Sequence, residues 1–587
     1  MCGIFGYVGN SNNAAGIVLA GLRLLEYRGY DSWGISVKRG KKLDVDKHTG
    51  KIEQAITQLP KSTLGIGHTR WATHGGVTTV NAHPHLDCTK EVAVVHNGIV
   101  ENFLELKEEL QRIGHHFVSE TDTEVIAHLI EEYLKKEGFA SSVRDAFNRL
   151  KGLSAIVVAY APSAEIIAAK SGSPLVVGVG DNEFFVASDA VGIVKHTRRV
   201  IFMEDNDMVI LGKKLKLIRL PEGKVVKPLF HTIDWEFKNV QKGKYKHFLL
   251  KEIYEQPQVV ENIAINYGAD TKRLSKLIEE AFGTFMLGCG TASYAAIAGT
   301  YLFSRVAKKH VNFSIGSEFA YLEDYLTPKS LLIAISQSGE TIDVVAPVEK
   351  ARKRGSQIAA IVNVIGSTLY RQAQHKILLG AGVEKAVVST KSFIAMVAIL
   401  ILTAYTSAKR QEEAKELLMQ AAGNIRVILQ NAYVKRIKEL AKKLVKSSHI
   451  FVIGRGLAYA TALETALKLK ETSYVHAEGF AGGELKHGVI ALIDNETPCI
   501  VIAPNDETYD DIISNAQEIK ARGGFIIGVG PKNNNVFDIF LETSDAGDAT
   551  MLSQIVLAQL LAYYLALYRG IKDPDKPRNL AKSVTVK

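Results

Sequence analysis

Cysteine is scarce in this chain, with four in 587 residues: Cys2, Cys88, Cys289 and Cys499. They are far apart and form no C-x-x-C pair, which excludes a disulfide scaffold and a zinc ribbon and fits a reducing cytoplasm. Proline is also sparse, at 14, and glycine is ordinary, at 48, so collagen-like and low-complexity classes fall away. An uninterrupted apolar run of the ~20 residues that span a bilayer is missing. Phe393–Tyr405 is too short, and Met551–Tyr568 is broken by Ser553, Gln554 and Gln559, so both read as buried helices and no membrane is expected. Met1–Leu22 has no Lys or Arg ahead of its apolar stretches, so no signal peptide is expected.

Charge of one sign is weak as well. The balance of 71 Lys+Arg against 62 Asp+Glu leaves +9. A nucleic-acid partner needs that surplus on one face. The visible clusters, Lys213-Lys214-Leu215-Lys216 and Lys238 through Lys251, carry no interleaved aromatics of an RNA-binding kind. Nucleic acid is therefore not expected, and small anionic substrates stay open. What the chain does have is apolar content, 47%, and a length that allows three to five domains.

Up to about residue 220, short alternating strands and turns dominate, among them Ala155–Tyr160, Leu175–Val179 and Phe184–Ala187. Helical periodicity falls at Phe103–Ile113 and Thr123–Lys136. Phe230–Tyr245 is charged, aromatic and aperiodic, and reads as a linker. From Phe248 onward strands and helices alternate at α/β spacing, and the pattern repeats. Phe285-Met286-Leu287-Gly288-Cys289-Gly290 returns about 166 residues later as Phe451-Val452-Ile453-Gly454-Arg455-Gly456. Two doubly wound α/β domains in tandem are expected.

Three features carry chemistry. Removal of the initiator Met would make Cys2 the N-terminus, and an α-amine with a pKa near ~8 can serve as base for its own thiol. Ser336-Gln337-Ser338-Gly339-Glu340-Thr341 follows the buried strand Leu331–Ile335, and hydroxyls at a strand-to-helix turn suit an anion. The matching turn of the repeat, Pro504-Asn505-Asp506-Glu507-Thr508, has lost the serines and gained acid, so only the first copy should take an anion. Pro347 should kink the helix that follows the first turn or mark its start. Around Ala462–Tyr474, Glu464, Lys468 and Glu471 form one helical stripe, with His487 close behind in Gly482–Gly488. A carboxylate beside a lysine and a histidine suits proton shuttling between adjacent carbons.

Cys2-Gly3-Ile4-Phe5-Gly6, Tyr27–Ser32, His68–Gly75, His83-Pro84-His85, His96-Asn97-Gly98 and Ser119–Glu124 occur in order and resemble the glutaminase domain of class II glutamine amidotransferases, an N-terminal-nucleophile αββα fold. The resemblance implies Cys2 as nucleophile and Asn97 with Gly98 as oxyanion hole. It places Arg70, Trp71, Thr73, His74 and Asp122 around glutamine, with Arg70 on its carboxylate, Asp122 on its amine and Trp71 gating ammonia. No metal is expected at His68, His74, His83, His85 and His96. Trp33 stands where the family has a small residue.

The Ser336–Thr341 turn resembles the phosphate loop of sugar isomerase (SIS) domains. The Glu464–Glu471 helix, Glu484–Gly488 and the tail Asp575–Lys587 resemble the amidotransferases that join a glutaminase to tandem SIS domains and act on fructose 6-phosphate. That likeness implies Lys582 as imine-forming lysine, Glu471 as enolising base, His487 as ring-opening residue and Lys468 on the sugar oxygen. Thr291, Ser336, Gln337, Ser338, Thr341, Val387 and Ser389 would line the sugar-phosphate site, with Ala292 in place of a common Ser. Implied too are glutamine and fructose 6-phosphate as substrates, no cofactor, and a homodimer. The expected domains are 2–225 glutaminase, 226–250 linker, 251–430 and 431–570 the two SIS domains, and 571–587 a catalytic tail.

Two alternatives stand beside this reading. A phosphoribosyl-pyrophosphate type of amidotransferase would need a different second half. A sugar-phosphate-binding regulator without catalysis would not need Cys2, Glu471, His487 and Lys582 at once.

Overall fold

The structure, a computed structural model, describes residues 2–233 and 241–585. These form two compact units: residues up to Gln241 with those from Ala581 on, and Lys242–Leu580.

The first unit stacks two antiparallel sheets, one of eight strands and one of seven. Gly3–Val8 runs inside the larger sheet, between Phe184–Ala187 and Leu64–Arg70. Strand alternation divides its side chains. Ile4 and Val8 enter the core between the sheets with Val95, Val157 and Ala168. Phe5 and Tyr7 point the other way, into the layer built on the helix Ala14–Leu25. The smaller sheet is covered on its far side by the helices Phe103–Arg112, Glu124–Leu134 and Phe139–Arg149, through Val94, Ile156 and Ile167. The layers are therefore αββα, as expected.

Two boundaries move. His231–Thr232 pairs with Arg199–Phe202 at the edge of the larger sheet, so this unit runs past residue 225. The helix Phe248–Tyr254 opens the second unit before residue 251, and Asp575 caps it by accepting from Phe248 N at 2.8 Å and Leu249 N at 2.7 Å. The expected linker shrinks accordingly, and its residues 234–240 lie outside the described residues. The tail is divided as well: Asp575 belongs to the second unit and Lys582 to the first.

The second unit holds two parallel five-stranded sheets with the same strand order. In one, Gly283–Gly288 lies between Asn312–Ile315 and Ser330–Ser336; in the other, His449–Gly454 lies between His476–Ala481 and Pro498–Ile502. The repeat extends to the backbone. Gly290 and Gly456 cap the helices that follow with φ/ψ of 54°/−128° and 55°/−130°. Only glycine adopts that conformation freely, so both copies keep it. The helices Lys391–Ser407 and Thr550–Tyr568 are buried over nearly their whole surface. At ~1.5–3 kcal/mol for each fully buried Leu, Ile or Phe, they are the main apolar load of this core. The segment Gly547–Tyr568 is long and apolar enough to cross a membrane, but 89% of its apolar window is buried in the protein, as suits a core helix. Pro347 does not mark a helix start. It sits inside the helix Ile342–Lys353 and leaves one backbone donor missing there.

Candidate active sites

In the first unit the chemistry gathers where the two sheets end together. Pairing of Gly3 with Thr69 sets Cys2 beside Arg70 and Trp71, while Val92–Gly98 of the other sheet delivers Asn97 and Gly98. Cys2, Arg70, Trp71, Thr73, His74, Asn97, Gly98 and Asp122 all line one pocket. Thr585, from the chain's last segment, lines it too.

The Cys2 sulfur accepts a hydrogen bond from Trp71 N at 3.2 Å. The Asn97 side-chain amide donates to Cys2 O at 2.9 Å. Its orientation is set from behind, because His68 Nε2 lies 3.0 Å from Asn97 Oδ1. Burial pulls His68 down to about 3, so the ring is neutral. It must carry its proton on Nε2 to donate to Asn97 Oδ1 and to His96 O, also at 3.0 Å. That fixes the Asn97 N–H₂ toward Cys2. Gly98 has φ of 137°, and a Cβ there would collide with Leu153 O, so this position of the pocket wall needs glycine.

Arg70 is buried and holds the following loop by donating to Gly76 O and Gly75 O, each at 3.1 Å, and to His74 O. Its remaining N–H groups are available for a carboxylate. Asp122 accepts from Val100 N at 2.8 Å through Oδ2, which leaves Oδ1 for an ammonium. Trp33 is absorbed by stacking on His48 at 4.5 Å, and Asp31 nearby accepts from Ala72 N at 2.9 Å.

In the second unit the helix Leu457–Ser473 carries the acid–lysine–acid stripe against the first repeat. Lys468 Nζ donates to Thr291 Oγ1 at 2.9 Å, Ser389 O at 3.2 Å and Glu471 Oε2 at 2.7 Å. Glu464 lies 3.3 Å from the same nitrogen. Burial pushes Glu464 up to about 8, with Glu471 adding to the shift and Lys468 opposing it. Burial also disfavours the Lys468 cation, but Glu464 and Glu471 outweigh it and hold the ammonium charged.

Two predictions arise from this cluster. Lys468→Met takes the buried cation away from the half-buried Glu471 carboxylate and from Thr291, and should cost about 3–5 kcal/mol in denaturant unfolding. The double variant with Glu464→Gln should recover little of that loss at neutral pH, because burial already keeps Glu464 protonated there. The second concerns pH. Below the ordinary range of a glutamic acid, Glu464 is protonated folded or unfolded. Between there and about 8 only the unfolded chain releases the proton, so stability falls as pH rises. The melting temperature of Glu464→Gln relative to the parent should therefore climb from pH 5 to pH 8. A flat difference would refute the raised value.

The Ser336–Thr341 turn lies at the end of Ser330–Ser336 and at the start of Ile342–Lys353. Ser336 Oγ is 3.2 Å from Thr341 Oγ1 and accepts from Gly339 N at 3.0 Å; Ser338 Oγ accepts from Glu340 N at 3.1 Å. Gln337 is half-buried beside them, and Val387 is pinned by its N–H to Asp575 O at 2.9 Å. Ser293 does not replace the hydroxyl that Ala292 lacks; its Oγ turns back to Gly290 O at 2.7 Å. In the second copy Asp506 and Glu507 face Arg305 at 3.1 and 3.2 Å, so that turn holds an arginine.

His487 lies exposed on the short turn Gly482–His487, outside the Thr291–Lys468 group. Lys582 is half-buried in the first unit. Motif reasoning passed over His68 as the group that orients Asn97, although it quoted the residue. It likewise saw Glu464 in the stripe without giving it a role.

Comparison with known proteins follows this division. Residues 68–195 match the glutamine amidotransferase domain family, and 277–405 and 443–567 each match the SIS domain. The chain is 42% identical to glutamine–fructose-6-phosphate aminotransferase [isomerizing] of Thermococcus kodakarensis and 43% identical to that of Pyrococcus horikoshii, over 100% of both chains in each case. Among solved structures, the C-terminal domain of glucosamine-fructose-6-phosphate aminotransferase from Francisella tularensis superposes with a TM-score of 0.51 at 34% identity, covering 56% of this chain and 98% of that one. With a glutaminase fold around Cys2 and tandem SIS domains around Lys468, the chain belongs to the isomerizing glutamine–fructose-6-phosphate aminotransferases, an enzyme family.

Proposed function

We propose that this enzyme converts fructose 6-phosphate and glutamine to glucosamine 6-phosphate and glutamate. The observation that carries the proposal is the pairing on one chain of a Cys2 site, whose Asn97 amide is oriented by His68, with a buried Lys468–Glu471 pair hydrogen-bonded to Thr291.

At the first site Cys2, its α-amine exposed by loss of Met1, attacks the side-chain amide of glutamine. Arg70 holds the substrate carboxylate and Asp122 its ammonium. Asn97 Nδ2 and Gly98 N stabilise the oxyanion. Collapse of the adduct expels ammonia and leaves a thioester that water cleaves to glutamate. Trp71, whose N–H bonds the Cys2 sulfur, stands where ammonia leaves.

At the second site the Ser336, Ser338 and Thr341 hydroxyls and the following helix N-terminus hold the phosphate. His487 opens the ring, and Lys582 condenses with the ketone and releases water. Ammonia then displaces the lysine, giving an imine of the sugar. Glu471 removes a proton from C1 and returns it to C2, which turns the ketose imine into the amino aldose. Lys468 balances charge on the sugar oxygen. The protein works as a cytoplasmic homodimer in this reading.

Purified protein supplied with glutamine and fructose 6-phosphate should form glucosamine 6-phosphate and glutamate in equal amounts. Binding of the sugar phosphate without that product would overturn the proposal.

A further inference from the structure

A second chemical cluster lies in the first unit, apart from the Cys2 pocket. Cys88 follows the strand His85–Leu86, His115 follows the helix Phe103–Arg112, and His128 with Glu131 occupies one face of the helix Glu124–Leu134. One ligand atom from each of the four falls within 4.8 Å of all the others.

The distances among these atoms are those of a coordination polyhedron. His115 Nδ1 is 3.3 Å from His128 Nδ1 and 3.0 Å from Glu131 Oε2. His128 Nδ1 is 3.3 Å from the same oxygen. Cys88 Sγ is 3.5 Å from His128 Nδ1 and 3.8 Å from His115 Nδ1. A tetrahedral zinc with bonds of ~2.0–2.1 Å to N and O and ~2.3 Å to S has edges of about 3.3 Å between N or O ligands and about 3.5 Å to sulfur.

Hydrogen bonding alone does not satisfy this arrangement. Each Nδ1 offers either one N–H or one lone pair, yet His115 Nδ1 faces another imidazole nitrogen, a carboxylate oxygen and a sulfur at once. The outer nitrogens decide the tautomers. His115 Nε2 is 3.3 Å from Glu132 Oε2, and His128 Nε2 is 3.5 Å from Glu124 Oε1. Acidic partners call for N–H on both Nε2 atoms, which leaves two Nδ1 lone pairs and the Glu131 oxygen aimed at one point. A carboxylate behind each ligating histidine is the usual outer support of a metal site. Both rings are buried, 5% exposed for His115 and 1% for His128.

We propose that Cys88, His115, His128 and Glu131 bind one divalent, borderline-soft transition-metal ion, with zinc as the best fit to two imidazoles, a thiolate and a carboxylate. Binding releases the thiol proton of Cys88, and the filled site is electrically neutral: two positive charges on the ion against one thiolate and one carboxylate. The site is structural, since four protein ligands complete the tetrahedron. It ties three segments together, one of them the helix whose first residue, Glu124, anchors the preceding loop by accepting from Val118 N and Ser119 N at 2.8 and 2.7 Å. Asp122 belongs to that loop.

The test is metal content of the full-length protein after dialysis against zinc and gel filtration. One zinc per chain is expected in the parent. Cys88→Ser and His128→Gln should each lose most of it, with Cys88→Ser conservative enough at an exposed position to fold. Cobalt(II) should give a thiolate-to-metal charge-transfer band that persists in Cys2→Ala and vanishes in Cys88→Ser. Chelation should lower the melting temperature of the parent and leave that of Cys88→Ser unchanged. A parent that retains no stoichiometric metal, or metal retained equally by Cys88→Ser and His128→Gln, would overturn the proposal and leave a protonated hydrogen-bonded cluster.

Discussion

Cys2→Ala should abolish glutamine use, by about 10⁴-fold or more, while ammonium salts still support amino-sugar formation. The expectation follows from the division of residues between the two units. Every residue the proposed function assigns to the amide chemistry, from Cys2 to Asp122, lies in the first unit, whereas Thr291, Ser336, Lys468 and Glu471 lie in the second. Alanine in place of cysteine removes a sulfur that accepts from Trp71 N and donates to Trp71 O, and leaves the pocket's other bonds in place. Glutamine should therefore still bind, and the lost step is attack on the amide. Glutamate release and product should be measured separately, with glutamine and with ammonium as nitrogen source. Loss of the ammonium-driven reaction as well would refute the assignment.

Glu471→Gln should slow product formation from either nitrogen source by about 10²–10⁴-fold, the usual contribution of a positioned general base. Glu471 is the half-buried member of its pair. Lys468 and Glu464 are nearly inaccessible, and Lys468 donates to Glu471 at 2.7 Å. Of the two acids, Glu471 combines partial exposure with a fixed charge partner, and Glu464 is held protonated by burial through most of the neutral range. Affinity for the sugar phosphate should barely change, because the proposed function assigns the phosphate contacts to the Ser336–Thr341 turn. Solvent-proton exchange at C1 of the sugar, followed by NMR, separates enolisation from imine formation. Exchange at the parent rate in Glu471→Gln would remove this residue from the role.

Much of this was legible in the residues themselves, and the reasons are local. Phe184–Ala187 is a strand at both expected ends because four apolar residues are bounded by Asn182-Glu183 and Ser188-Asp189. The tandem repeat shows itself through Gly290 and Gly456, whose positive φ leaves little choice of residue. The helix Phe139–Arg149 was not foreseen. Its Phe139, Val143, Ala146 and Phe147 stripe is diluted by Ser141, Ser142 and Asn148, and packing against the sheet overrides those weak propensities.

The Cys2 and Glu464–Glu471 groups were accessible because each has a local signature, a terminus in one case and a helical stripe in the other. The Cys88, His115, His128 and Glu131 group has none beyond the spacing of His128 and Glu131. Its ligands come from three separate segments that only the fold brings together. His68 hides for a similar reason: what it does to Asn97 depends on two strands in different sheets meeting at one end.

The unequal fate of the two SIS turns has a consequence for stoichiometry. The repeat gives the chain two copies of one strand-to-helix turn, but Arg305 neutralises the acids of the second, and removing Arg305 would leave two carboxylates that repel an anion. On the proposed function, each chain thus keeps a single sugar seat alongside a single source of ammonia. Supply and demand for nitrogen would then be matched one to one within the polypeptide, and a chain with both seats would leave half of them without ammonia at every turnover.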